Sequence, residues 1–174
     1  MEQGTDFLRA QLNNAIAQHH ALVISLRDHA EQADDPQYRR LCEQYLPRLE
    51  KHQEMLEAYA TSIGSEGGSG LKNVLGSVLG KARDAVDAMR GTDFLRVVGD
   101  IVMIRQSQDT FATFAVAGER LGDARLAELG RTGEKEHDAV QRDFNALCAG
   151  LFVQHVQGTV ATNSNDRESS TARV

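Results

Sequence analysis

"GTDFLR", residues 4–9, returns letter for letter at residues 91–96, and this repeat decides how the chain divides. Thr and Asp are good helix starters, which accounts for two of the six letters and leaves four unexplained. Each copy opens a long stretch of helical periodicity. The expectation is therefore a duplicated helical hairpin, one copy of the repeat at the head of each half.

Outward from the first copy, residues 6–33 carry a seam at Leu8, Leu12, Ala15, His19, Leu22, Leu26, His29 and Ala33. Its alternating steps of four and three are the register of a helix packed in a bundle. Asp34, Asp35 and Pro36 interrupt it, with the proline placed to begin the next helix. A second seam follows through Tyr38, Cys42, Tyr45, Leu49, His52, Leu56, Tyr59 and Ile63. Pro47 lies inside it and removes a helical hydrogen bond. The seam keeps its phase on both sides, so one kinked helix is expected.

"GSEGGSG", residues 64–70, ends the first half, and 71–90 are weakly amphipathic, as in a short helix within a long connection. Outward from the second copy, a third helix over about 93–121 presents Phe94, Val97 or Val98, Ile101, Ile104, Gln108, Phe111 and Ala115 on one side. "LGDA" at 121–124 supplies the second turn, as "ADDP" does the first. A fourth helix over about 124–157 presents Leu126, Leu129, Gly133, His137, Val140, Phe144, Leu147 and Leu151. Gly130 and Gly133 weaken it locally or let a neighbouring backbone approach closely. Beyond Gly158 the apolar period stops, which predicts a disordered tail over 158–174.

These segments predict an all-α domain, a four-helix bundle over 5–157. Hairpins 5–64 and 92–157 would be joined by a long crossover, 65–91. A helix of about 28 residues is roughly 42 Å long, a distance that a connection containing a short helix can span. The 174 residues suffice for one domain with a real core.

Charge and composition exclude several function classes. The net charge is −6, and no basic stripe interleaved with aromatics marks a nucleic-acid binder. No apolar run reaches the length of a membrane span, and "MEQGTDFLRA" lacks the regions of a signal peptide, so a cytoplasmic protein is expected. Cys42 and Cys148 form no CxxC and no disulfide framework, which fits a reducing compartment and small core residues rather than nucleophiles. Neither GxSxG nor a glycine-rich phosphate loop after a strand is present.

The polar residues on the seams carry the functional question. His19 lies about 15 residues before the first turn and His52 about 17 after it, so an antiparallel pair brings both to mid-height. Gln108 and His137 are matched in the same way across the second turn. Glu134 stands one turn from His137, and side chains at i and i+3 share a helix side. An unpaired buried polar group costs about 1–3 kcal/mol. Either a metal satisfies these groups or they form a buried hydrogen-bonded network that fixes helix pairing.

With a hairpin, a Gly-rich break, a connecting helix and a second hairpin in that order, the chain resembles the ferritin-like superfamily. "LEAYATSIG" (56–64) closes helix two and "ERLGDARLAEL" (119–129) forms the second turn. The likeness over about residues 5–157 is to the small bacterial stress-response ferritin-like proteins in particular. The resemblance implies a di-iron site with a Glu from each of helices one and three and a Glu-x-x-His from each of helices two and four.

Position by position, only helix four matches, through Glu134 and His137. Helix two has Leu49 where the Glu should be, helix one offers His19, and helix three offers Gln108 or Asp109. Too few carboxylates remain to bridge two irons, which disfavours a classical ferroxidase. The candidate ligands are His19, His52, Glu134 and His137, with Glu50, Gln108 and Asp109 behind them. They would hold iron or another divalent transition metal, or the bundle has no cofactor and works as a scaffold or interaction protein. The resemblance also implies a homodimer.

Overall fold

Four helices form where the seams predict them in the computed structural model, which describes residues 2–65 and 92–171, with side chains at 4–65 and 92–158. They are α1 (Glu2–Gln32), α2 (Pro36–Ser62), α3 (Asp93–Leu121) and α4 (Ala124–Thr171), with no strand among the described residues. The helix expected within 71–90 lies outside the described residues.

Local chemistry sets the boundaries. The Asp35 carboxylate accepts from the backbone N–H groups of Gln37 and Tyr38 at 2.9 and 2.8 Å, with Pro36 at the first helical position. Thr92 caps α3 through its hydroxyl to the Leu95 N–H. At the end of α3, Gly122 takes the left-handed conformation, φ 69°, that a side chain disfavours. Asp123 then caps α4 by accepting from Arg125 and Leu126 N–H. α2 continues as one helix through Pro47. α4 runs on past Gly158, since extending an existing helix needs no new nucleus.

The helices form a square: α1 packs on α2 and α3, and α4 packs on α3 and α2. At one end the Asp35 N–H donates to Asp93 Oδ2 at 2.6 Å, and Arg96 donates to the carbonyl of Gln32. At the other, Arg9 donates twice to the carbonyl of Ile63, at 3.0 and 2.9 Å, and the Tyr59 hydroxyl donates to Asp123. Every helix is thus antiparallel to both neighbours, and Ser65 and Thr92 stand at opposite ends of the bundle.

Close packing of α3 on α4 depends on missing side chains. A Cβ on Gly130 would stand 2.1 Å from the Ala115 nitrogen, and one on Gly118 2.2 Å from the Ala127 nitrogen. The apolar core falls into two parts. One joins Leu22, Leu26, Tyr38, Leu49, Ile104 and Phe144; the other joins Leu12, Ile16, Leu56, Phe111, Leu126 and Leu129. On three of the helices the residue falling between the two parts is a buried histidine.

The buried side of α3 differs from the expected one. Val97, Asp100, Ile104, Ser107 and Phe111 are buried, whereas Ile101 and Gln108 are half-buried. Apolar residues occur on every face of this helix, so hydrophobic periodicity fixes its rotation poorly. Hydrogen bonds to Asp100 from two other helices fix it instead.

Candidate metal centre

His19 (α1), His52 (α2) and His137 (α4) meet between the two parts of the core and are 2%, 2% and 0% exposed. One ring nitrogen from each lies within 4.8 Å of the other two. Among the described residues this is the group of metal-capable side chains that converges.

Each imidazole is oriented by a hydrogen bond through one nitrogen. His19 Nδ1 donates to Gln53 Oε1 at 3.1 Å, and Gln53 is itself oriented by donating from Nε2 to Glu57 at 2.7 Å. His52 Nε2 donates to Glu136 Oε2 at 3.1 Å, and His137 Nδ1 donates to the Gly133 carbonyl at 2.7 Å. Those bonds place the ring protons and leave His19 Nε2, His52 Nδ1 and His137 Nε2 as lone-pair acceptors. These three atoms are buried and have no hydrogen-bond partner among the described residues. An outer-shell acceptor on the second nitrogen is the usual support of a metal-bound histidine, since it fixes the tautomer and raises ligand basicity.

Electrostatics keep the lone pairs free. Burial, and then the neighbouring His137, lower the pKa of His19 to about 3; burial lowers that of His137 to about 4, against the Gly133 hydrogen bond. His52 is also shifted down, burial outweighing the Glu136 carboxylate. All three rings are neutral at neutral pH, the form that binds a cation.

Phe111 closes one side of the cluster. Its ring centroid is 5.8, 5.7 and 5.0 Å from those of His19, His52 and His137. It fits because Gly133 has no side chain: a Cβ there would lie 2.3 Å from the phenylalanine ring. Gly133 therefore both orients His137 and admits Phe111.

The other candidates lie elsewhere. Glu134 borders a surface groove with Gln108, Arg131, Lys135 and Asp138 and is not part of the converging group. Glu50 is ion-paired with Arg27 at 2.7 Å, and Asp109 with Arg105 at 3.3 Å, all on the surface. Gln108 has a buried Oε1 without a partner. The carboxylate that touches the cluster is Glu136, which the helical spacing argument passed over because its contact crosses from α4 to α2. With three imidazoles and no carboxylate converging among the described residues, the donor set suits one cation and does not fit a carboxylate-bridged di-iron pair.

A second buried polar group, also missed in the sequence, lies nearer the end of the bundle where α3 begins. Asp100, 0% exposed, accepts from Ser25 at 2.9 Å, His29 at 3.0 Å and Tyr38 at 2.6 Å. Compared with known protein families, curated proteins and solved structures, the chain matches none. The described helices include none long and apolar enough to cross a membrane.

Proposed function

We propose that this protein is a ferritin-like bundle that binds one transition-metal ion at mid-height, through His19, His52 and His137, and works in metal handling rather than as a ferroxidase. The observation that carries the reading is a cluster of three buried imidazoles, with a nitrogen of each within 4.8 Å of the other two, in which each ring has one nitrogen held by an acceptor and one left without a partner. Leaving three such acceptors unsatisfied costs about 1–3 kcal/mol each, and a bound cation removes that cost.

The ferritin-like arrangement, with duplicated hairpins and a long crossover, is supported by what the repeat does. In each copy the Asp pairs with the Arg three residues on, Asp6 with Arg9 at 3.2 Å and Asp93 with Arg96 at 2.9 Å. Each arginine also donates to a carbonyl just at or beyond the end of a neighbouring helix, that of Ile63 or Gln32. The opposite placement of Ser65 and Thr92 favours a crossover between the hairpins.

Reconstitution of metal-free protein tests the reading. The full chain should retain one equivalent of a transition metal after desalting, and its unfolding free energy should rise by about 2.7 kcal/mol at a free metal concentration a hundred times Kd. His52→Ala should abolish both effects. Retention of less than a tenth of an equivalent (~0.1) with every first-row metal would remove the proposal.

A further inference from the structure

We infer that the ion this site is built for is copper(I), held by three nitrogens without a fourth ligand. The inference rests on the metal-binding reading above and asks which cation the arrangement favours.

Three features distinguish the candidates. The first is charge. All three donors are neutral, and the nearest anion is Glu136, on the far nitrogen of His52. The electrostatic cost of burying an ion rises with the square of its charge, so a neutral donor set in an apolar layer favours a monovalent ion over a divalent one. One positive charge is also what the Glu136 carboxylate balances.

The second is coordination number. Structural zinc takes four protein ligands, and catalytic zinc takes three and keeps an open position for water. Here the ring of Phe111 packs against all three imidazoles, so the side of the cluster that it covers is apolar and offers a bound water no hydrogen-bond partner. Zinc(II) has the same filled d shell but a double charge and keeps a fourth ligand, whereas the single charge of copper(I) is satisfied by a trigonal set of three imidazoles.

The third is ligand type. Iron(II) and manganese(II) favour sites with carboxylate or water oxygens, and no carboxylate is in the converging group. Imidazole suits copper, zinc, iron and nickel alike, so the first two features decide among them, charge against every divalent ion and coordination number against zinc.

Thiols are the competing copper ligands in this chain. Cys42 is fully buried within the core part that holds Tyr38 and Phe144, and Cys148 is half-buried beside it. Neither belongs to the histidine cluster. Burial raises the pKa of both thiols and so disfavours the thiolate that binds metal.

The test is an anaerobic competition on the full-length protein. Metal-free protein is titrated with copper(I) buffered by bathocuproine disulfonate, then challenged with zinc(II), and the copper-loaded form is examined by X-ray absorption. One equivalent of copper(I) should leave the chelator and survive about a hundredfold excess of zinc(II), which shifts mass action by two decades. The absorption spectrum should show three nitrogen neighbours and no sulfur. Cys148→Ser and Gln108→Leu should leave affinity unchanged, whereas Glu136→Gln should lower it about 10–100-fold.

Preferential retention of zinc(II) or iron(II) would overturn the assignment to copper(I) and leave the metal-binding reading standing. Sulfur in the shell, or a fourth oxygen ligand that is lost with Gln108→Leu, would overturn it too. Failure of copper(I) to bind while another first-row metal does would overturn the assignment alone, and failure of every first-row metal would overturn both. Because the unaltered chain is the primary sample, misfolding of a variant does not decide the result.

Discussion

Two buried polar clusters in one bundle use similar residues and reach opposite states. Around Asp100, the donors Ser25, His29 and Tyr38 converge on a carboxylate from α3, so the group closes on itself. Around Phe111, three histidines converge, and each keeps one buried ring nitrogen that no donor among the described residues answers. Burial alone therefore does not mark a ligand site. The sign of the hydrogen-bonding groups separates the two: a cluster whose donors and acceptors match is structural cement, whereas one left with lone pairs alone lacks a donor, the role that the proposal gives to a cation.

The largest expected effect breaks the closed cluster. Asp100→Ala removes the acceptor shared by Ser25, His29 and Tyr38, of which only the Tyr38–His29 contact at 2.7 Å remains, and should cost about 3–5 kcal/mol of stability in urea unfolding. Metal affinity should be unaffected in whatever fraction stays folded. A loss under about 1 kcal/mol, typical of an ordinary single hydrogen bond, would show that Asp100 is not the centre that holds this end together.

An intermediate effect comes from acid. In the fold His137 and His19 stay neutral down to about pH 4 and about pH 3, whereas in the unfolded chain each takes a proton near 6.5. The unfolded state therefore binds protons first as pH falls. The stability tied to neutral burial is fully present above 6.5 and drains away below it, at roughly 1.4 kcal/mol per pH unit for each ring. Urea unfolding across this window should show the slope, and His19→Leu should reduce it. A flat profile would mean that the cluster is solvated and the contrast with Asp100 false.

The smallest effect is the most diagnostic. His137→Leu removes an unsatisfied acceptor, so the metal-free protein should be unchanged or more stable by about 1 kcal/mol, while the gain in stability on adding metal disappears. The same substitution strategy at Asp100 has the opposite expected sign. A clear loss of metal-free stability in His137→Leu would place both clusters in one structural class.

Much of the frame was legible in advance. Strong seams set the rotation of α1, α2 and α4: Leu12, Leu22, Tyr38, Leu49, Leu126 and Phe144, all expected on the inner side, are fully buried. The level of His19, His52 and His137 followed from counting residues to the turns. α3 was harder because its apolar residues are spread around the helix, and Asp100 and Ser107 read as surface letters until their neighbours are known. Gln53 and Glu136 escaped for a related reason. Each orients a histidine on a different helix, a relation that spacing within one helix does not encode.

By itself the sequence determined the helices, their turns and the height of three histidines, because helix periodicity and capping are local and every inward residue on a packed helix recurs every third or fourth position. Only the tertiary structure decided which ring nitrogen is left without a partner, that Glu136 rather than Glu134 touches the cluster, and that Phe111 packs against it. Those facts depend on contacts between helices brought together by packing, where a rotation of one side chain exchanges a donor for a lone pair.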